Sequence, residues 1–223
     1  MMFLCSPHNP TARLWTEEEI RRLTALCARY GVFLVSDEIH ADFTYDGKRF
    51  FSVLETEYEN TAVLLSASKT FNIAGLLQAS FVTRNAKALK TIENLADRNG
   101  ARAGNIFALA ATRAAYDLGD DWLNGLTAYL EAGRGILLKA LETQLPRCRV
   151  APVEATYLAL LDLTDYGCTT EEIMAKTIRA GALFTEGTFF SETLGNGWIR
   201  FNFACPHNLI LEGVRRLKNA LEG

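Results

Sequence analysis

The run Val32-Phe33-Leu34-Val35 is apolar at four successive positions before it breaks into Ser36-Asp37-Glu38-Ile39-His40. A strand with one wet face alternates apolar and polar residues, whereas a strand covered on both faces is apolar throughout, as in parallel sheets. The chain is thereby restricted to a layered fold with helices packed on a sheet. Further apolar runs lie at Met2-Phe3-Leu4-Cys5, Val63-Leu64-Leu65 and Ala79-Ser80-Phe81-Val82. Helical periodicity separates the first two. Thr16 and Glu19 have capping-box spacing, Ile20, Leu23, Cys27 and Tyr30 recur on one face, and Gly31 stops the helix. From residue 1 to about 119 the pattern predicts α/β structure on a parallel sheet covered on both faces.

Beyond that, Asn85 is read as the cap of a helix to about Asp97, and Ala108 to Tyr116 as another. Leu123, Leu126, Leu130, Leu137 and Leu141 fall on one stripe of a long amphipathic helix. It leads into a smaller α+β region, with strands expected at Tyr157–Leu161, Leu183–Thr185 and Ile199–Phe203 and helices at Thr170–Ala180 and Leu209–Leu221. Two domains follow, 1–119 and 120–223. Hydrophobic residues make up 49% and charged residues 22%, enough for a packed core. A net charge of −3 without a basic stripe argues against nucleic acid as a partner. No apolar run reaches bilayer length and no signal pattern opens the chain, so a cytoplasmic protein without membrane contact is expected. Its five cysteines, odd in number and without close pairing, read as reduced thiols.

In open α/β sheets, ligands gather at the carboxyl ends of strands. Val63-Leu64-Leu65 delivers Ser66-Ala67-Ser68-Lys69-Thr70-Phe71-Asn72-Ile73-Ala74-Gly75-Leu76, a small, polar loop with a single lysine. An amine attacks an aldehyde when burial or cationic neighbours favour its neutral form, so a Schiff-base lysine belongs at such a strand end. Asp37 ends its own strand beside the same crevice, where a carboxylate can keep a pyridine nitrogen protonated. Asn9 projects from the Pro-flanked turn Ser6-Pro7-His8-Asn9-Pro10-Thr11 after the first strand. Arg200 sits in Trp198-Ile199-Arg200-Phe201-Asn202-Phe203, which alternates as a strand, and a guanidinium can grip a carboxylate through two parallel hydrogen bonds.

Each of these residues alone has a plainer reading. Most lysines solvate a surface, Asp37 and Glu38 could be a turn or capping pair, and an isolated arginine is usually an ion-pair partner. Asn9, Ser66 and Ser68 could be ordinary turn and loop residues. A metal site of Asp37, Glu38, His40 and Asp42 is disfavoured, because a continuing strand would send Asp37 and His40 to opposite faces. Ser66-Ala67-Ser68-Lys69 also satisfies the Ser-x-x-Lys pattern of penicillin-binding proteins, but its Ser-Asp-Asn and Lys-Thr-Gly companions are absent from the chain. Joint occurrence at successive strand ends is what lifts the set above coincidence.

Four segments carry a family resemblance in order along the chain. They are Asn9-Pro10-Thr11 with Arg13 and Trp15, then Ser36 through Asp42, then Ser66 through Gly75, then Arg200-Phe201-Asn202 with Cys205-Pro206. Together they resemble the fold type I family of pyridoxal-phosphate-dependent enzymes, the class I/II aminotransferase superfamily. Asp37-Glu38-Ile39-His40 and Ser68 through Leu76 are most similar to its bacterial C–S lyases of cystathionine β-lyase type. The resemblance implies a mostly parallel sheet flanked by helices with a smaller C-terminal α+β domain, pyridoxal 5'-phosphate as cofactor, a small amino-acid substrate and a homodimer. By the same resemblance Lys69 forms the Schiff base, Asp37 pairs with the pyridinium nitrogen, and Asn9 bonds the ring's phenolic oxygen. His40, standing where aminotransferases usually have tyrosine, donates to that oxygen as well. Ser66 and Ser68 help hold the phosphate, and Arg200 binds the substrate carboxylate.

Three positions depart from the family pattern. Leu77 stands where many aminotransferases carry a phosphate-binding arginine, Ala12 where glycine is usual, and His207 where an arginine commonly follows Cys-Pro. Leu77 favours the lyase branch. The 223 residues match only the later part of such an enzyme, and the front portion expected to bind phosphate and stack on the ring is not among them. The implied reaction is β-elimination on a sulfur amino acid, giving thiol, pyruvate and ammonia, with weak or no activity expected of a truncated chain alone. Transamination is the alternative, and an inactive remnant acting as a binding module is the third reading.

Overall fold

A computed structural model of the chain describes residues 1–101 and 104–223. It divides into two compact units: Met1–Pro7 with Leu14–Gly125, and His8–Arg13 with Leu126–Gly223.

The first unit is built on a four-stranded sheet of β1 (Met2–Cys5), β2 (Leu34–Asp37), β3 (Thr61–Leu65) and β4 (Ser80–Thr83), in that spatial order. β1, β2 and β3 are parallel, with Cys5 beside Asp37 and Asp37 beside Leu64, so all three open toward the same edge. β4 returns antiparallel to β3. Helix α1 (Glu17–Tyr30) covers one face. Its capping box is present as read, with Thr16 Oγ1 accepting from the Glu19 amide at 3.2 Å and the Glu19 carboxylate accepting from the Thr16 amide at 3.0 Å. Gly31 ends the helix at φ +62, a left-handed conformation open to glycine without steric cost. Ile20 and Cys27 pack there against Leu4, Leu34, Val53 and Val63.

The opposite face is less enclosed than the sequence pattern predicts. Phe3, Phe33, Val35, Leu64 and Phe81 line an open cleft of about 600 Å³, bordered by Ala88 and Ile92 of α2 (Ala86–Arg98). Helix α3 (Ile106–Leu118) and the first residues of α4 (Asp120–Gln144) complete this unit.

In the second unit, β5 (Arg149–Val150), β6 (Leu158–Asp162), β7 (Thr185–Glu186) and β8 (Trp198–Asn202) form an antiparallel sheet in the order β5-β6-β8-β7. Alternation along β8 buries Ile199 and Phe201 on the face toward α6 (His207–Glu222), where the Phe201 ring lies against Gly213. Helix α5 (Thr170–Arg179) buries Ile173 and Thr177 beside α6. The other face carries Arg200 paired with Leu160, and Trp198 paired with Asp162. The segment His8–Arg13 joins this unit through Ala12, whose carbonyl accepts from the amides of Glu154 and Ala155, both at 3.0 Å. Ala12 is fully buried at φ +57, which fits a position where the family usually has glycine.

No disulfide links the five cysteines, and among the described residues no helix is long and apolar enough to cross a membrane.

Candidate active site

In the first unit, the chain leaving β3 turns over residues 67–72 and exposes Lys69 while holding its neighbours. Ser66 Oγ donates to the Gln78 carbonyl at 2.6 Å and accepts from the Ser68 amide at 3.1 Å, closing the base of the loop. Thr70, buried, donates through Oγ1 to Asp42 Oδ2 at 2.5 Å, and Trp122 Nε1 donates to the Thr70 carbonyl at 3.4 Å. Phe71 meets the Tyr116 ring edge-on with centroids 6.5 Å apart. It also fills the space beside Gly119, where a Cβ would lie 2.3 Å from the ring. The lysine is therefore carried on a clamped turn, but its side chain is exposed in this chain and not enclosed as the sequence argument expects.

Asp37 ends β2 half-buried. Its Oδ1 accepts from the Ile39 amide at 3.2 Å, and among the described residues no donor meets Oδ2. β2 stops there, at the strand end where Asp37 was expected. The cause is Glu38, which is 3% exposed and whose Oε1 captures the Val53 amide at 3.1 Å, while the Ala41 amide closes a turn onto the Glu38 carbonyl. His40 is consequently buried in a turn, and the argument that placed Asp37 and His40 on opposite faces of one strand does not apply. Among the described residues no cluster of His, Cys, Asp or Glu is arranged to hold a metal ion. Burial pushes the Glu38 carboxyl above its usual range, against hydrogen bonds from Ser52, Val53 and Ser36 that favour the charged form. Tyr116 is likewise raised, by burial first and then by the negative charge of Asp42. Leu77 is exposed at φ +55 at the end of the short helical turn Ala74–Leu76.

In the second unit, Asn9 and Arg200 are brought together. Arg200 Nη1 donates to Asn9 Oδ1 at 2.9 Å, Nη2 donates to Thr185 Oγ1 at 3.0 Å, and the guanidinium carbon lies 5.1 Å from the centre of the Phe190 ring. Its Nε is buried with no hydrogen-bond partner, and among the described residues no carboxylate pairs with it. Burial lowers the arginine's pKa, opposed by Tyr157. A guanidinium withdrawn from water and held only by neutral groups still needs an anion, and a planar carboxylate matches its geometry. His207 stacks on Tyr129 with centroids 4.0 Å apart, and its Nε2 lies 3.1 Å from the Tyr129 carbonyl oxygen, so this position serves helix packing.

Within the first unit the residues fit pyridoxal 5'-phosphate on two observations: an amine on a fixed turn, and a strand-end carboxylate with one open oxygen. Thr185 and Phe190 were not among the candidate site residues read from sequence, while Thr70 and Asp42 entered only within the motif segments, Asp42 also as a disfavoured metal ligand. Thr70 adjoins the lysine and was legible in principle, whereas the others act through pairings distant along the chain.

The chain is 35% identical to the cystathionine β-lyase PatB of Bacillus subtilis (strain 168), covering 99% of this chain and 58% of that protein. To protein MalY of Escherichia coli (strain K12) it is 32% identical, covering 99% and 57%. The structure matches that of the PLP-bound C–S lyase from Staphylococcus hominis with a TM-score of 0.87 and 33% identity, over 99% of this chain and 57% of that one. The chain thus spans less than three fifths of the length of these relatives. Its fold is the fold type I architecture implied by the motifs. The sequence profile described as aminotransferase class I and II matches residues 1–217, and the chain belongs to that family.

Proposed function

We propose that this chain carries the catalytic lysine of a pyridoxal-5'-phosphate-dependent C–S lyase, which cleaves a sulfur amino acid by β-elimination to thiol, pyruvate and ammonia. The observation that carries the reading is the Lys69 turn, clamped by Ser66 and Thr70 at the strand edge where Asp37 keeps one carboxylate oxygen open. The lyase branch is favoured by Asp37-Glu38-Ile39-His40, by the uncharged Leu77, and by the likeness to PatB and MalY.

When bound, the cofactor supplies an aldehyde carbon and a protonated ring able to accept the electron pair left at the substrate Cα. Lys69 Nζ would hold that aldehyde carbon, and the same amine, when free, would be the base that takes the substrate's Cα proton. Asp37 Oδ2 keeps the proton on the ring nitrogen. Asn9 and His40 serve the phenolic oxygen. Ser68 donates to the phosphate, while Ser66, whose hydroxyl hydrogen is committed to Gln78, mainly shapes the loop. Arg200 would bind the substrate carboxylate through its guanidinium N–H groups. The bond from Cβ to sulfur then breaks, the thiolate leaves with a proton, and water releases pyruvate and ammonia. The working protein is proposed to be a cytoplasmic homodimer, with residues 1–119 as its cofactor-binding portion and 120–223 as bridging helix and small domain.

A second reading, transamination, is supported by the family match and by the same residues. An assay with cystathionine separates the two: thiol and keto acid without an added acceptor support the lyase, and strictly acceptor-dependent product overturns it. The primary test is addition of pyridoxal 5'-phosphate to the purified chain. A visible imine band, fixed at residue 69 by borohydride and lost in Lys69→Ala, is expected; its persistence in the variant refutes the role of Lys69. Turnover by the 223 residues alone is expected to be weak, because the turn over 66–69 offers the phosphate few donors and Leu77 no charge.

A further inference from the structure

A thiol and an amine meet in the second unit, outside the residues that serve Lys69 and Arg200. Lys176 Nζ, in the last turn of α5, donates to Cys168 Sγ at 3.6 Å. The sulfur stands just before Thr169, the residue that caps the helix, and its own hydrogen is directed to the Tyr166 carbonyl at 3.8 Å. Both side chains are half-buried, so the sulfur is reachable from solvent.

Local structure brings the two together. Glu172, one turn before Lys176, is committed to the cap, its carboxylate accepting from the Thr169 amide at 2.8 Å and from the Thr169 hydroxyl at 3.2 Å. The sulfur is thereby left as the acceptor that the ammonium reaches. Thr170, 2% exposed, fixes this end of α5, its hydroxyl donating to the Gly195 carbonyl at 3.1 Å and accepting from the Gly197 amide at 2.7 Å. Cys168 is thus carried on held backbone, while the lysine supplies a flexible stem. Partial exposure and a cationic neighbour are what mark out reactive thiols. Three of the other thiols are in the opposite situation: burial pushes Cys148 up to about 12 and also raises Cys27 and Cys205, favouring their protonated, unreactive form.

We propose that Cys168 and Lys176 are a peroxide-responsive pair that closes into a covalent sulfur–nitrogen bond, joining the residue ahead of α5 to the last turn of the helix. In the first step the sulfur attacks one oxygen of hydrogen peroxide and the oxygen–oxygen bond breaks. The thiol proton goes to solvent, and the departing hydroxide takes a proton from the Lys176 ammonium and leaves as water. The sulfur has then given two electrons to the peroxide and carries a hydroxyl, with a neutral amine beside it. In the second step the nitrogen lone pair bonds to the sulfur, the sulfur–oxygen bond breaks, and hydroxide leaves as water with the proton shed by nitrogen. One thiol, one ammonium and one peroxide give the cross-link, two waters and a proton. Groups already in contact react much faster than groups meeting from solution, so capture by the amine precedes further oxidation of the sulfur.

The test treats the 223-residue chain with hydrogen peroxide and maps its peptides by mass spectrometry. Cys168 and Lys176 are expected in one joined species, lighter than the parent by two hydrogens, uncut by trypsin after residue 176 and returned to the starting mass by dithiothreitol. Lys176→Arg keeps a cation at the helix end and removes the amine. It is expected to abolish the cross-link and to raise capture of the Cys168 sulfenic acid by dimedone at least about tenfold over the parent. Cys168→Ser is expected to leave Lys176 unmodified at the same peroxide dose. Equal dimedone capture at Cys168 in the parent and in Lys176→Arg overturns the inference, as does oxidation of Cys27, Cys148 or Cys205 ahead of Cys168. These readouts involve no cofactor and stand apart from the β-elimination reading.

Discussion

Thr70 fixes the path of the backbone next to Lys69. Its side chain is 1% exposed and its hydroxyl reaches the carboxylate of Asp42, twenty-eight residues earlier, at 2.5 Å. Hydrogen bonds to charged acceptors contribute more than neutral ones, about 1.5–3 kcal/mol. Thr70→Val keeps the shape and removes the donor, and Asp42, being exposed, can turn to water for a replacement. The expected cost is thus below that range, about 1 kcal/mol, read as a lower urea midpoint with an unchanged slope. The same variant is expected to weaken imine formation by several-fold, since the turn then loses its tie to Asp42. An unchanged cofactor titration would show that the Ser66, Trp122 and Phe71 contacts hold the turn without it. At this scale the sequence was partly legible. Lys69, Asp37 and Arg200 stand out because each adjoins or lies within a strand-like run. Asp42 and Phe190 do not, because what makes them matter is a partner far away along the chain.

Elements were legible where their signals are local. The α1 capping box, its apolar stripe and its glycine stop all lie within sixteen residues, and the helix formed as read, with Ile20 and Cys27 buried and Tyr30 at the end of the stripe exposed. β2 ends at Asp37 as read, but the contact beyond it, the Glu38 side chain tying the turn after the strand to the short helical turn Val53–Glu55, is tertiary and left no local signal. β5 is two residues long and is held to β6 by Arg149, which bonds Asp162 at 2.8 Å, a pairing with no periodicity to reveal it. The Glu38 tether has a pH signature. Its pKa is raised from 4.5 in the folded chain, so the native state binds the proton more tightly than the unfolded state. The associated stability is present below pH 4.5 and declines as pH rises through the elevated pKa. Glu38→Gln retains an acceptor for Val53 and never ionises. Its urea midpoint is therefore expected to be flatter between acid and neutral pH than that of the parent chain, and equal slopes would mean that Glu38 is hydrated when charged.

At the scale of the molecule, a net charge of −3 provides little repulsion between copies, while the first unit presents a large apolar surface. β1 is an edge strand, paired with another strand on one side only. Its Phe3 is 69% exposed at the mouth of the cleft formed with Phe33, Val35, Leu64 and Phe81. Leu89, Ile92 and Leu95 of α2 add further exposed apolar area to the same unit. The chain spans 58% of PatB, so in a relative of full length there is additional polypeptide available to cover surface of this kind. For the 223 residues by themselves, concentration-dependent association is expected in sedimentation velocity. Burying a phenylalanine side chain contributes about 1.5–3 kcal/mol, so Phe3→Lys is expected to weaken that association roughly tenfold to a hundredfold, and added salt should not restore the parent value. Phe3 lies outside the Lys69 turn, and the imine band of the variant is expected to match the parent's. Association as strong in Phe3→Lys as in the parent would assign self-contact to another surface, with the exposed Ile106 and Phe107 of α3 as the next to substitute.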